Sequence, residues 1–219
     1  MKTSKLEETI IIVLTLLPFL YLAIIYSDLP NTIPTHWNAD GEVDAYGDKK
    51  TLWMIPIMMT GLIYVLLKFI PQLDPKGQIK KMGKKFIHLR MIMTLFMTIL
   101  ATGIIYMTQN HETDIAGDPS WVFILVGLLF IVLGNYMPAM KPNYFVGIRT
   151  PWTLENETVW RKTHRLGGWI FMASGLAIII SALALSPQIT FIVTMVGAIG
   201  TALVTMIYSY MIFKKIPQS

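Results

Sequence analysis

The chain has 219 residues, of which 54% are hydrophobic and only 14% charged, with a formal charge of +5 and a mean hydropathy of +0.56. A soluble domain spends about a quarter of its residues on charge, so this composition excludes an ordinary soluble enzyme or binding module and points to a polytopic membrane protein. The absence of cysteine excludes disulfides, thiolate nucleophiles and cysteine-ligated metals.

Apolar runs long enough to cross a bilayer, which takes about 20 helical residues, recur along the whole chain. The first, Thr9–Tyr26, follows Lys2 and Lys5 with no small-residue cleavage site after it, so it reads as an uncleaved signal anchor. Next comes a polar interruption, PTHWNADGEVDAYGD, in which Pro30 and Pro34 oppose helix and Gly41 and Gly47 supply turns. A second run, Leu52–Ile70, leads into the basic stretch PKGQIKKMGKKFIHLR, whose Ile79, Met82, Phe86 and Arg90 fall at near-helical spacing with lysines between them. That pattern predicts an interfacial helix entering the third run, Met91–Met107, with Lys68, His88 and Arg90 snorkelling near the run ends.

The fourth run, Trp121–Met140, ends at Pro138 and Pro142. A second polar segment, 134–168, then reads as a turn over Gly147–Pro151 followed by a short helix with Thr153 as N-cap. On that helix Trp160, His164 and Gly167 share one face, flanked by Arg161, Lys162 and Arg165. Trp152 and Trp160 have the plain reading of headgroup anchors. The runs Trp169–Leu185 and Ile189–Phe213 complete six. Small residues that permit close packing occur at Ala173, Gly175, Ala177, Gly197, Ala198, Gly200 and Thr201. Continuous apolarity without alternation favours helices over a barrel.

Charge orients the bundle. With the N-terminus inside, every Lys and Arg except Lys49 and Lys50 falls on the inner side, while Asp28, Asp40, Glu42, Asp44, Asp48, Glu112, Asp114 and Asp118 fall outside. The expected architecture is therefore an all-α integral membrane protein with six transmembrane helices, both termini inside, and short interfacial helices on the cytoplasmic side of the plasma membrane. The motifs divide it into a two-helix unit, residues 1–71, and a four-helix unit, 72–219. Basic loops of this kind meet the anionic lipid bilayer, so nucleic-acid binding is not expected.

The outer segment has three readings. Laid on a calcium-loop pattern, Asn38, Asp40, Gly41, Glu42 and Asp44 match, but His36 and Gly47 replace the first Asp and the bidentate Glu. No metal or other cofactor is thus expected, with His36, Asp40 and Asp44 as the weak candidates. In the second reading Asn38, Asp40 and Asp44 tie the loop through local hydrogen bonds. In the third it is a receptor, with Trp37 and Tyr46 as anchors and the acids attracting a cationic ligand.

Two motifs carry a resemblance. The outer one, formed by Pro34, His36, Trp37, Asn38, Gly41, Asp44 and Gly47, resembles the small membrane domain of unknown function that often begins proteins of the SdpI family. The inner one, formed by Asn143, Gly147, Arg149, Thr150, Pro151, Trp152, Thr153, Trp160, Thr163 and His164, resembles that family's signature. The resemblance implies bacterial immunity and signal transduction: resistance to a secreted, membrane-active toxin peptide met by the outer motif. It also implies retention of a cytoplasmic winged-helix autorepressor at the membrane by the inner one.

Against this stand a small-solute transporter or channel, which needs ionisable groups at membrane depth that these runs barely supply, and a membrane-surface enzyme. The latter reduces to His164 with Glu157 and Arg149, because His36 and His164 lie on opposite sides. The sequence reading is therefore non-enzymatic.

Overall fold

The computed structural model describes residues 3–38, 42–75, 77–110 and 118–216. Lys2, Asp40, Gly41, Lys76, Glu112 and Asp114, all used in the sequence reading, lie outside them. Among the described residues, six helices are long and apolar enough to cross a membrane: Lys5–Ile25, Lys49–Leu73, Lys84–Gln109, Ser120–Ala139, Glu157–Ala184 and Pro187–Lys215. These are called the first to sixth spans below. The chain is a multi-pass helical membrane protein, and its six spans are those read from hydropathy.

Packing groups the chain into two compact units, one of residues 1–73 with 83–119 and one of 74–82 with 120–219. The grouping is thus three spans with three, whereas the sequence division at residue 71 follows motifs rather than packing.

In the first unit the first span starts from a capping box. The Ser4 hydroxyl accepts the Glu7 N–H and the Glu7 carboxylate accepts the Ser4 N–H, which satisfies two donors at the helix start. Pro18 cannot donate to the carbonyl of Leu14. The Thr98 hydroxyl of the third span reaches that carbonyl at 2.9 Å, so the orphaned acceptor becomes a helix-to-helix bond. A similar device ties the second span, which opens as a 3-10 turn over Lys49–Trp53 and contains a π turn over Ile57–Gly61 just after Pro56. There the buried Thr60 hydroxyl lies 2.9 Å from the Pro56 carbonyl and 3.0 Å from that of Thr15 in the first span. In hydrocarbon an unmatched carbonyl costs several kcal/mol, so threonines at proline breaks act as ties.

The basic stretch differs from its expected form. A five-residue helix, Gln78–Met82, breaks at Gly83, and the third span begins afresh at Lys84. The Asp74 carboxylate holds the short helix by accepting the Ile79 N–H at 2.9 Å.

In the second unit the fourth and fifth spans cross through two reciprocal glycine pairs. A Cβ on Gly127 would stand 2.7 Å from the Gly175 carbonyl oxygen, and one on Gly134 would stand 2.6 Å from that of Gly168. The absent side chains are what let the two backbones touch. The sixth span packs on the fifth with Ser174 and Thr201 facing each other at 3.5 Å.

Candidate functional site

The outer motif forms a β-hairpin rather than an irregular loop. Strand β1, Thr32–Trp37, pairs antiparallel with β2, Val43–Asp48, and the register slips on either side of His36, just after Pro34. Proline offers no N–H to a ladder, so an irregularity there is its natural consequence. Ile33 roots the hairpin in an apolar cluster with Leu22, Ile25, Leu29, Leu52 and Ile105. Lys49 turns inward, its ammonium donating to the carbonyls of Tyr26 and Leu29 at 3.3 and 2.9 Å.

At the tip, the Asn38 N–H donates to the Glu42 carbonyl at 2.9 Å while the Asn38 side-chain oxygen accepts the Glu42 N–H at 3.0 Å. Lower down, His36 Nδ1 and Asp44 Oδ1 pair at 2.5 Å across the strands, with both side chains exposed. Asn38 thus bonds to backbone within the hairpin, whereas Asp44 pairs with the His36 side chain rather than with backbone. Among the described residues no group of three or more metal-ligating side chains comes together; Asp40 and Gly41 lie outside them.

Pro34, Trp37 and Gly47, motif residues with no such polar role, line a cavity of about 410 Å³ beneath the hairpin. Its remaining walls come from the second span, through Leu52 and Ile55, and the third, through Ile104 and Thr108. Trp37 is a half-buried wall of this cavity. Tyr46, 59% exposed, is the one that projects.

The inner motif is knitted from its own residues. The buried Asn143 side chain accepts the N–H groups of Phe145 and Val146 at 2.8 and 2.7 Å and donates to the carbonyls of Lys141 and Val146 at 2.8 and 3.0 Å. Gly147 follows with φ +107°. The short helix Pro151–Glu155 is capped by Thr150, not Thr153: the two threonines form a reciprocal capping box, and proline takes the first helical position, where its fixed φ suits it. Thr150 also meets Ser209 of the sixth span at 3.0 Å.

A further difference concerns the helix carrying Trp160. It is continuous with the fifth span, running from Glu157 to Ala184 with Asn156 as N-cap, rather than a separate helix lying in the interface. Trp160 is fully buried, its indole N–H donating to the Met140 carbonyl at 2.8 Å, so it is a core residue and not a headgroup anchor. His164 stacks on it with centroids 3.9 Å apart.

Both nitrogens of that imidazole are used. Nδ1 lies 2.9 Å from the Trp160 carbonyl, which only accepts, and Nε2 lies 3.0 Å from the Ile148 N–H, which only donates. These partners select the neutral tautomer protonated on Nδ1. A histidine held this way is a structural clasp. Thr163 is also fully buried, and its hydroxyl finds no partner among the described residues.

Exposed here are Arg149, which donates to the Tyr144 carbonyl at 2.6 Å, Lys162 and Arg165, together with Glu155 and Glu157, the latter paired with the exposed Arg161 at 3.3 Å. Beside them Trp152 packs on Tyr210 at 5.0 Å, and the Lys214 ammonium lies 5.0 Å from the Tyr210 ring centre.

One cluster escapes the sequence reading. Arg90 is not snorkelling but 3% exposed, with its two terminal nitrogens 3.2 and 3.4 Å from the carboxylate oxygens of Glu8 in the first span. Tyr64 of the second span donates to the same carboxylate at 3.1 Å, and Lys68 donates to the Tyr64 hydroxyl at 2.8 Å. The available signal was an acid in the first turn of one run and a base at the head of another.

Comparison with known proteins bears on both motifs. Residues 139–209 match the model described as the SdpI/YfhL protein family, and residues 13–60 match a domain of unknown function (DUF1648). Over 211 residues, 96% of this chain and 97% of the relative, it is 28% identical to a protein of Bacillus subtilis (strain 168) named Immunity protein SdpI. It is also 35% identical over 64 residues to an uncharacterized protein of Archaeoglobus fulgidus, covering 25% of this chain and 35% of that one. No solved structure matches. The SdpI/YfhL segment takes in Asn143 through His164 and Ser209, so the capping box, the Trp160–His164 clasp and the sixth-span contact all lie within it.

Proposed function

We propose that the chain is a membrane immunity protein, without enzymatic activity, that protects a bacterial host against a secreted, membrane-active peptide. The observation that carries this reading is the likeness to Immunity protein SdpI along nearly the whole of both chains. In this reading the hairpin faces outward and receives the peptide, while the exposed Arg149, Arg161, Lys162 and Arg165 face the cytoplasm and hold a small winged-helix autorepressor when peptide is present. The two functions act on opposite ends of the spans, so a signal passes between them only if the helices have two arrangements biased by the ligands.

Expression in a peptide-sensitive bacterial strain tests this. Tolerance to the cognate peptide should rise, Asp44→Ala should weaken it, and Arg149→Ala should spare it while reducing the repressor retained at the membrane. Unchanged tolerance, together with altered accumulation of a small solute in vesicles carrying the chain, would replace immunity by transport.

A further inference from the structure

We propose that the cavity beneath the hairpin is the binding slot for one bulky apolar side chain of a cationic, amphipathic peptide, and that Ile104 and Thr108 on the third span help set which side chain fits. The proposal rests on the immunity reading in taking the ligand to be a membrane-active peptide. Most of the cavity wall lies within the matched segment 13–60, while Ile104 and Thr108 lie outside both matched segments.

The walls determine what can enter. Pro34, Trp37, Leu52, Ile55 and Ile104 present carbon. Of the three bordering threonines, Thr51 and Thr108 already donate, to the carbonyls of Asp48 and Ile104 at 2.8 and 2.9 Å, which leaves the Thr35 hydroxyl alone to meet a ligand. A polar ligand would lose its water there and gain little in return, whereas an apolar group gains by burial. A cavity of about 150 Å³ suffices for benzene, so one of about 410 Å³ has room for a large aromatic side chain.

Charge on the hairpin distinguishes a peptide from the other apolar occupant at hand, a lipid acyl chain. Glu42, Asp44 and Asp48 are exposed on β2 or beside it. Lys49 is spent on backbone carbonyls, and against these three acids stand the exposed Lys50 and the His36 paired with Asp44. A hairpin with this acidic balance draws a cationic partner and accelerates its arrival, while zwitterionic and anionic lipids gain nothing from it. The slot then supplies the desolvated anchor point on which such complexes depend.

The cysteine-free chain allows a direct test. Ile104→Cys, at a partly exposed position of the slot wall, is reconstituted in zwitterionic vesicles and its alkylation by a small maleimide is timed. The probe is a synthetic amphipathic Lys/Leu peptide with a single Trp; its counterpart has Glu in place of every Lys. The Lys peptide should slow alkylation about tenfold at ninety per cent occupancy by mass action, and the Glu peptide should leave the rate unchanged.

An unchanged rate with the Lys peptide overturns the slot. Equal slowing by both peptides overturns the cationic-peptide assignment and makes the occupant any apolar chain. Equal slowing at Ile99→Cys, a lipid-facing position on the same span (Ile99 is 44% exposed), means general shielding and also overturns the slot. If the slot is protected but host tolerance does not rise, the immunity reading fails and the slot stands. If tolerance rises without protection at Ile104→Cys, the slot fails and immunity stands.

Discussion

Gly147 and His164 show how single atoms hold the inner motif. A Cβ on Gly147 would collide with His164 Nε2, and the backbone there sits at φ +107°, which side-chain-bearing residues rarely adopt. Gly147→Ala should therefore both strain the turn and push the imidazole off the Ile148 N–H, at a cost of about 1–3 kcal/mol. Thermal unfolding in detergent should record a clear drop in midpoint, and an unchanged midpoint would mean that the clasp carries no load. Glu8 and Arg90 allow a second test at this scale. Glu8→Gln leaves Arg90 without its counter-charge, and breaking a buried pair costs about 3–5 kcal/mol. Because the Glu8 side chain is 25% exposed, the loss should fall at or below the lower end of that range. Adding Arg90→Met should recover most of it, since removing both partners also removes the desolvation penalty; additive losses in the double variant would contradict the pairing.

At the scale of elements, glycines on the fourth and sixth spans differ sharply in what they contact. Gly134 meets backbone of the fifth span, whereas Gly200 has nothing within 4 Å of an added Cβ. Gly134→Leu should force the two spans apart, costing at least the about 1–3 kcal/mol of an overpacked core, and lower the amount of folded protein in membranes. Gly200→Ala should stay within about 0.5 kcal/mol of the parent. A reversal of that order, measured by fluorescence-detected size exclusion after heating, would refute the glycine crossing. The helices themselves were legible, because unbroken apolar runs have one structural solution in a bilayer. The hairpin was less so: Pro34 and the run of polar residues blur the alternation that marks a strand, leaving only its turn chemistry visible. The cap of the short inner helix was readable but missed. Thr150 followed by Pro151 is the stronger start signal than Thr153, since proline favours the first helical position.

For the whole molecule, the outer and inner motifs were recognisable as sequence patterns, and the structure gives most of their residues internal duties: Asn38, Asn143, Thr150, Trp160 and His164 all bond within their own sites. Under the proposed function, the part of each motif left to meet a ligand is therefore smaller than the motif itself. The cavity could not be read in advance, because Ile104 and Thr108 join it from a span that carries no motif. The Glu8–Arg90 pair was hidden for the same reason, its members lying 82 positions apart. Residues that meet only through tertiary packing leave no local pattern.

The central claim is that these two surfaces address opposite sides of one membrane, and single cysteines in this cysteine-free chain test it most directly. Ala45→Cys on the hairpin and Thr158→Cys at the start of the fifth span, both at exposed positions, are offered a membrane-impermeant maleimide on intact cells and again after permeabilisation. The account predicts labelling at position 45 in both conditions and at position 158 only after permeabilisation. Labelling of both positions, or of 158 alone, on intact cells would contradict it.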